Sequence, residues 1–251
     1  MIDVHCHLEQ KDYENDRDEV IEKCKKQLKA VITSCAHPRD FDLTLQLAEK
    51  YKNFVFATCG IHPEYIKEIS EKEIDEILEK IKENKDRIIA IGETGLDKFW
   101  TPEIDWQAKQ KELFARLISL AKKIDKPLVV HSRDAYSDVL DILETENAKN
   151  VLLHLWGDKK LIGRIIDNGW NISIGPILLK SKNHKKTVRD MPIERIMTET
   201  DSPWFGVEEK RGVPTNVKFV VQKIAEIKKI DAEEVDRITT KNAVNFFSLS
   251  I

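Results

Sequence analysis

The sequence has 251 residues, of which 41% are hydrophobic and 34% are charged, so it can build a sizeable core and is not expected to be disordered. Its 41 basic and 44 acidic residues give a formal net charge of −3, which excludes a globally basic nucleic-acid-binding protein but allows a local basic patch. No apolar window is long enough for a transmembrane helix, so we expect no membrane association.

The cysteines and the first residues of the chain bear on its compartment. The four cysteines are scattered and show no C-x-x-C spacing, so a disulfide scaffold is not expected. Residues 1–20 lack the cationic start, the apolar run and the small-residue cleavage site of a signal peptide. Together these features predict a cytoplasmic protein.

Eight short apolar runs alternate with longer amphipathic stretches that are rich in charge. Because the runs are apolar throughout, without strict alternation, they are typical of strands buried on both faces of a parallel sheet. In chain order they are Ile2–Val4, Val31–Ser34, Phe54–Thr58, Ile88–Ile91, Leu128–Val130, Val151–Leu153, Asn171–Ile174 and Ile196–Thr198.

The stretches between these runs have the spacing of helices, with apolar residues at i, i+3, i+4 and i+7. Two clear examples are Ile74, Ile77, Leu78 and Ile81, and Leu113, Leu117, Leu120 and Ala121. Eight strand-then-helix units in a chain of this length predict an α/β fold, a (β/α)8 TIM barrel, as a single domain over residues 1–251. Residues 231–251 add an extra C-terminal helical segment. An open, doubly wound sheet is the alternative.

Polar residues follow the carboxyl ends of six of the predicted strands. The carboxyl ends of the strands share one face in a barrel, whereas an open sheet would spread them along an edge. Five of the seven histidines lie at or just after such ends, which favours the barrel. The polar residues are Asp3, His5 and His7; His62; Glu93; His131 and Arg133; His154; and Glu199 and Asp201.

The first strand carries two histidines with one residue between them. Alternation along a strand would put His5 and His7 on the same side, with Asp3 in line below them, and would turn Cys6 toward the helices. Two imidazoles that project into a barrel mouth can chelate one divalent metal ion. A chance pair of histidines is the alternative.

Later strands add carboxylates and further imidazoles. Glu93 closes a very apolar strand, where a carboxylate is costly unless it is paired or bound to a metal. His131 and His154 close apolar runs in the same way. A salt bridge for Glu93 and simple hydrogen bonding for the histidines are the alternatives. Asp201 and Glu199 share a strand face, and we expect Asp201 to meet metal and Glu199 to orient a ligand.

Other residues near the mouth are candidates for contact with a substrate. Lys180 and Lys182 begin a basic segment after the seventh strand, where barrels commonly bind phosphate; a solvated helix start is the alternative. Trp156 and Trp204 follow strands six and eight and could stack a terminal base, or could simply pack. We expect His184 to be exposed or to contact phosphate. For His37, a place in a surface loop and a functional role are equally open.

Taken together, these motifs resemble the TatD family of metal-dependent hydrolases, within the amidohydrolase-like barrels. The resemblance covers nearly the whole chain, and it is specific because six motifs occur in the family's order. They are Asp3-x-His5-x-His7, Gly60-Ile-His62-Pro63, Gly92-Glu93-x-Gly95-Leu96-Asp97, His131-Ser132-Arg133-Asp134-Ala135, His154-x-Trp156 and Glu199-Thr200-Asp201-Ser202-Pro203.

The resemblance implies a divalent-metal phosphodiesterase that acts on DNA from the 3′ end. By this analogy, one ion would be held by His5, His7, Glu93 and Asp201, and a second by Glu93, His131 and His154. Asp201 would also accept the proton of the attacking water, with Glu93 as the bridging catalytic carboxylate. His62 and Arg133 would lie beside the substrate phosphate. The two ions could be Mg, Mn or Zn.

Two other functions stay open at the level of sequence. The first is an ester or amide hydrolase of the same superfamily, such as a lactonase or a D-aminoacyl-tRNA deacylase. Many of those enzymes bridge their metals with a modified lysine on strand four, where this chain has Glu93. The second is a non-catalytic nucleic-acid-binding barrel, which predicts a broken ligand set. A DNA end is the expected partner, and no obligatory protein partner is inferred.

Overall fold

The computed structural model describes residues 1–207 and 210–251. Within them, eight parallel strands follow one another in chain order around a single sheet. They are β1 (Ile2–Cys6), β2 (Ala30–Cys35), β3 (Val55–Cys59), β4 (Ala90–Asp97), β5 (Leu128–Arg133), β6 (Val151–Leu153), β7 (Asn171–Ile174) and β8 (Ile196–Thr198). Just beyond β8, the amide of Asp201 donates to the carbonyl of His5 over 2.9 Å, and that of His7 donates to Ser202 over 2.8 Å. These bonds join the last strand to the first, so the sheet closes into a barrel.

Helices surround the barrel. They are α1 (Arg17–Lys25), α2 (Phe41–Lys50), α3 (Glu71–Glu83), α4 (Ile104–Ile124), α5 (Tyr136–Thr145), α6 (Ile162–Asp167), α7 (Lys182–Asp190), α8 (Val217–Lys228) and α9 (Ala232–Phe247). Helices α1 to α7 lie between successive strands, and α8 and α9 follow β8. The predicted (β/α)8 TIM barrel is therefore confirmed, and the open sheet is not found. In the described ranges, no helix is long and apolar enough to cross a membrane.

The C-terminal helix α9 closes the end of the barrel opposite the polar strand ends. Phe247 and the neighbouring Leu249 pack with Ile2, Val4 and Met197, which point into the barrel. Burial of these apolar side chains fills the lower half of the barrel interior with core. The upper half is left to the polar residues at the strand ends. The extra C-terminal helical segment that the sequence predicts is thus present as α9 and packs against the barrel interior.

Strand β1 contains a bulge that decides which of its residues face inward. Asp3 pairs with Val31 and Cys6 pairs with Thr33, so two residues, Val4 and His5, oppose a single partner. Both of these residues face the barrel interior. Cys6 packs with Leu8 and Tyr13 beneath the helices, as expected. Asp3, whose partner Val31 belongs to that same cluster, also faces the helices. The prediction that Asp3 lies in line below the two histidines is therefore wrong.

Strand β4 has a second irregularity at the corresponding depth. Ile91 pairs with Leu128 and Thr94 pairs with Val130, so the Gly92–Glu93 pair opposes one residue, Val129. The strand continues to Asp97, six residues beyond the end that the sequence predicts. The bulge turns the Glu93 side chain into the mouth of the barrel. Two bulged strands, β1 and β4, thus deliver His5 and Glu93 to the same space.

Candidate metal centre at the barrel mouth

Four predicted metal ligands meet where β1, β4 and β8 open into the barrel mouth. The Nε2 atoms of His5 and His7 lie 3.1 Å apart. Oε2 of Glu93 is 3.2 Å from His5 Nε2, and Oδ1 of Asp201 is 3.2 Å from His7 Nε2. Two imidazole nitrogens and two carboxylate oxygens converge, which is a donor set that suits a divalent cation.

The other carboxylate oxygen of Glu93 faces a different pair of histidines. Oε1 lies 2.9 Å from His131 Nδ1 and 3.5 Å from His154 Nε2. The ligand atoms of these three residues lie within 4.8 Å of one another, as do those of Glu93 with His5 and His7. Glu93 therefore stands between two groups of imidazoles and turns one oxygen toward each group.

Each of the four imidazoles is also held by a second side chain through its remaining ring nitrogen. Such a bond fixes the tautomer and the orientation of a ring that would ligate a metal. The pairs are His5 Nδ1 with Ser34 Oγ at 3.2 Å, His7 Nδ1 with Glu9 Oε1 at 3.1 Å, His131 Nε2 with Asp97 Oδ2 at 3.0 Å, and His154 Nδ1 with Glu199 Oε2 at 3.0 Å.

The sequence assigns supporting roles to two acidic residues, Glu199 and Asp3, and these accept hydrogen bonds on opposite sides of β8. Oε2 of Glu199 also accepts a hydrogen bond from Ser173 Oγ at 2.8 Å, and Oε1 accepts one from the Leu155 amide at 2.8 Å. Both of its oxygens are thereby occupied in orienting neighbours. Asp3, on the helix side, accepts hydrogen bonds from the amide and the hydroxyl of Thr200. It therefore braces the backbone next to Asp201 without touching an imidazole.

Three supporting residues, Glu9, Ser34 and Asp97, were missed by the sequence analysis. Glu9 continues the two-residue spacing of His5 and His7, and Asp97 lies in the same motif as Glu93. Both spacings were available as signals. Ser34 offered none, because a serine at a strand end is common, and its contact with His5 depends on the pairing of β1 with β2.

Two glycines of the quoted motifs allow the strands to approach closely at this depth. A Cβ atom on Gly60 would lie 2.5 Å from the carbonyl oxygen of Glu93. Gly95 has a φ of +141°, and a Cβ there would collide with the carbonyl oxygen of His131. Any side chain at either position would push β3 or β5 away from β4 and would separate the candidate ligands.

Burial and neighbouring histidines set the charge of the cluster. Burial alone would raise the pKa of Glu93, but the surrounding imidazoles, His62 foremost, hold its pKa well below its usual range. The pKa of Asp201 is lowered against burial in the same way, chiefly by His154. Burial also opposes protonation of His154, yet Glu199 and Glu93 raise its pKa to about 10.

These carboxylates have histidines, and no lysine or arginine, as their ion-pair partners among the residues that the structure describes. A buried carboxylate without a permanent cation is costly, and a divalent ion would supply the missing positive charge. The nitrogen and oxygen donors at these distances therefore fit a divalent metal.

The candidate substrate contacts lie higher, around the rim of the mouth. His62 Nε2 is 3.5 Å from Glu93 Oε1, so this side chain reaches the cluster itself. Arg133, at the end of β5, is exposed, as are Lys180 and Lys182 beyond β7. The ring of Trp204 lies 4.4 Å from that of His7 and is 52% exposed. These residues remain candidates for binding.

Two predictions about the rim are wrong. Trp156 is fully buried, its ring packs on Tyr136, and its Nε1 donates to the carbonyl of Asp158 over 2.8 Å, so it cannot stack on a substrate base. His184 is also buried: its ring nitrogens lie 2.9 Å from Ser181 Oγ and 3.2 Å from the carbonyl of Leu155. It fixes the loop after β6 rather than contacting phosphate.

Comparison with known proteins agrees with this geometry. The family model described as TatD-related DNase matches residues 2–248. A relative named deoxyribonuclease TATDN3, from Homo sapiens, is 35% identical, with 98% of this chain and 94% of the relative covered. An uncharacterized metal-dependent hydrolase, MJ1582, from Methanocaldococcus jannaschii, is 36% identical over 98% of this chain and 96% of its own. The crystal structure of the TatD homolog YJJV from Escherichia coli superposes with a TM-score of 0.91 at 22% identity, covering 100% of this chain and 98% of that one, which supports the fold.

Proposed function

The chain belongs to the TatD-related DNase family, and from this premise we propose that it is a 3′–5′ exodeoxyribonuclease that hydrolyses phosphodiester bonds at single-stranded DNA ends with two divalent metal ions. The observation that carries the proposal is the position of Glu93, which turns one oxygen toward His5 and the other toward His131. A carboxylate between two ligand groups suits a two-metal centre for displacement at phosphorus.

The ligand groups divide between two ions. One ion would be held by His5, His7, Glu93 and Asp201, and the other by Glu93, His131 and His154. When bound, the ions would activate a water molecule and offset the charge that develops on the phosphoryl oxygens. Mg, Mn and Zn are all compatible with this mixture of nitrogen and oxygen donors.

The chain's own residues would supply proton transfer and phosphate binding. Asp201 is deprotonated because of the lowered pKa of its carboxyl, so it can accept the proton of the attacking water. His62, beside Glu93, and Arg133, at the rim, would bind the non-bridging phosphate oxygens. Glu199 and Asp97 would keep His154 and His131 in the orientation that binding requires.

Three features support a DNA end as the substrate. The relative from Homo sapiens, of similar length, carries the name deoxyribonuclease TATDN3. Lys180 and Lys182 expose positive charge beside the mouth on a chain whose net charge is −3. The reactive groups lie inside a barrel mouth, which a free strand end can enter more easily than the middle of a duplex. Location in the cytoplasm, and action without an obligatory protein partner, belong to the same proposal.

A substrate panel with defined metals tests the function. Metal-free protein receives Mg, Mn or Zn and is offered single-stranded DNA, duplex DNA, RNA, an aminoacyl-tRNA and a lactone. We expect release of mononucleotides from single-stranded DNA, blocked by a methylphosphonate at the last 3′ linkage but not by one at the 5′ end.

Variants link the activity to this site. Asp201→Asn should abolish cleavage, and the exposed Asp167→Asn is the matched control. Hydrolysis of the aminoacyl ester or the lactone without cleavage of DNA would overturn the proposal in favour of the other hydrolases of the superfamily.

A further inference from the structure

Exposed aromatic side chains are concentrated at one end of this barrel. In the part of the chain that the structure describes, three phenylalanine, tryptophan or tyrosine side chains are exposed: Phe99 at 50%, Trp100 at 52% and Trp204 at 52%. All three follow the carboxyl end of a strand, β4 or β8, and so surround the candidate metal centre. A cluster of exposed aromatic rings is a common mark of a binding surface.

Phe99 and Trp100 form a single surface with Arg133. The two rings meet edge to face, with centroids 4.9 Å apart. The guanidinium carbon of Arg133 lies 3.9 Å from the centroid of Phe99 and 5.4 Å from that of Trp100. Stacking thus holds a planar cation against exposed aromatic rings.

Apart from this stacking, the N–H groups of the Arg133 guanidinium have no partner in the part of the chain that the structure describes. Among the described residues, the guanidinium has no carboxylate partner and donates no hydrogen bond. Its donors and its second face are therefore available to a ligand. A planar cation of this kind can bind a phosphate through its edge and a nucleobase through its face. A nucleotide offers both groups.

This surface is tied to one side of the metal centre. The amide of Trp100 donates to Asp97 Oδ1 over 2.8 Å, and the other oxygen of Asp97 holds His131. Arg133 follows His131 by two residues on β5. In the order of strands around the barrel, β4 and β5 lie opposite β8 and β1, which carry Trp204 and His7. Aromatic surfaces therefore flank the centre on opposite sides.

We propose that Phe99, Trp100 and Arg133 stack an unpaired nucleobase of the nucleic-acid substrate, next to the scissile phosphate and across the mouth from Trp204. The proposal rests on the proposed function and narrows its substrate class. Bases in a duplex are already stacked and paired, so only a single strand or a frayed end can offer a base to this surface. Because every base has a π face, recognition there is tolerant of sequence.

The test compares Trp100→Leu with Trp100→Phe, which keeps an aromatic ring. The hydrogen bond to Asp97 comes from the backbone amide and survives both substitutions. Substrates are single-stranded pentanucleotides, either intact or with one base at a time replaced by a tetrahydrofuran abasic analogue, and a fully abasic pentanucleotide, which has the same phosphates and no aromatic ring. Ile104→Ala, an exposed apolar residue at the start of α4, is the matched control that leaves activity unchanged.

We expect Trp100→Leu to raise KM for the intact pentanucleotide about tenfold more than it raises KM for the fully abasic pentanucleotide. The penalty should vanish for the one pentanucleotide that lacks the stacked base, and Trp100→Phe should restore most of the affinity. Equal effects of Trp100→Leu on both substrates, or a penalty that persists whichever base is removed, would overturn the stacking surface.

The outcome separates this proposal from the proposed function. Failure of the wild-type protein to cleave any nucleic acid overturns the function. In that case a binding titration still tests the stacking surface. The protein is added to pentanucleotides that carry 2-aminopurine at successive positions, and stacking should change the fluorescence of the analogue at one of these positions. Absence of any change that depends on Trp100 in that titration overturns the stacking surface even where cleavage is observed.

Discussion

At the centre of the barrel mouth each imidazole is buried or nearly so and is held by a second side chain, whereas Lys180, Lys182 and Lys186 in the segment after β7 are exposed to solvent. His7, for example, lies between Asp201 and Glu9; burial alone would lower its pKa, but these two carboxylates raise the pKa well above its usual range. Lys182 is exposed at the first position of α7 and has no ion-pair partner among the described residues.

This difference shows which properties the fold fixes before any ligand arrives. Side chains with two or more partners keep their geometry, so the candidate ligands at the centre are held in position before an ion binds. Exposed lysines keep their rotamer freedom and act at longer range through charge. Under the proposed function, the centre would carry out the chemistry and the rim would select the substrate. The following substitutions test this division, from the largest expected effect to the smallest.

Glu93→Ala should cause the largest loss, because it removes an oxygen from both ligand groups at once. We expect metal content to fall at both sites and activity to drop below about 1% of wild type, more than the loss of a supporting residue costs. His131→Ala should weaken mainly one site. Elemental analysis after gel filtration measures both variants, with circular dichroism as the control for folding. Full retention of two ions by Glu93→Ala would contradict the bridging position.

Glu199→Gln should cost about 10–100-fold in metal affinity or activity, although Glu199 itself is not a proposed ligand. The amide removes the negative charge beside His154 and places a donor group where the imidazole needs an acceptor. Metal titration of the variant and of Glu112→Gln, an exposed glutamate on α4, provides the comparison. An unchanged metal affinity in Glu199→Gln would show that the hydrogen bond to His154 does not orient a ligand.

Charge reversal at Lys182 and Lys185 should weaken oligonucleotide binding more than hydrolysis of a small phosphodiester. A short substrate fills only the centre, whereas a strand extends across the rim. Each lost phosphate contact should reduce the salt dependence of log K by about 0.7 for a single strand. The double variant Lys52→Glu/Lys123→Glu, with the same change of charge on exposed residues, is the control. The same affinity and slope in both double variants would assign Lys182 and Lys185 to a solvated surface.

The sequence predicts the centre better than the rim, for a physical reason. In a parallel barrel, every polar residue at a strand end is brought to one face, so His131 and His154 could be identified from position alone. A loop carries no such constraint. Trp156 follows its strand by only a few residues, but the chain turns it under α5 against Tyr136. Whether a loop aromatic packs or faces solvent depends on contacts that the local sequence does not contain.

The two bulges explain the remaining errors at the centre. Strict alternation places Asp3 on the same side as His5, but the bulge in β1 gives two consecutive residues the same side and sends Asp3 outward. The bulge in β4 likewise extends that strand beyond Ile91 and brings Asp97 to His131. No residue type in β1 announces its insertion, which is set by pairing with β2. In β4, Gly92 has a φ of +155° at the bulge, and a glycine inside a strand is a signal for such an insertion.

Cys6→Ser should have the smallest effect, even though Cys6 lies between two proposed metal ligands. Its thiol donates to the carbonyl of Ile32 over 3.3 Å on the helix side of β1, and burial raises its pKa well above the usual range. A protonated thiol that points away from the mouth is not a metal ligand. We expect unchanged metal content and activity, with a loss of about 1 kcal/mol in the free energy of unfolding because a hydroxyl is buried in an apolar cluster. Thermal unfolding and metal analysis of the same samples measure the two quantities separately. Loss of metal from a folded Cys6→Ser protein would mean that β1 turns Cys6 into the mouth, and the placement of Cys6 on the opposite side of the strand from His5 and His7 would then be wrong.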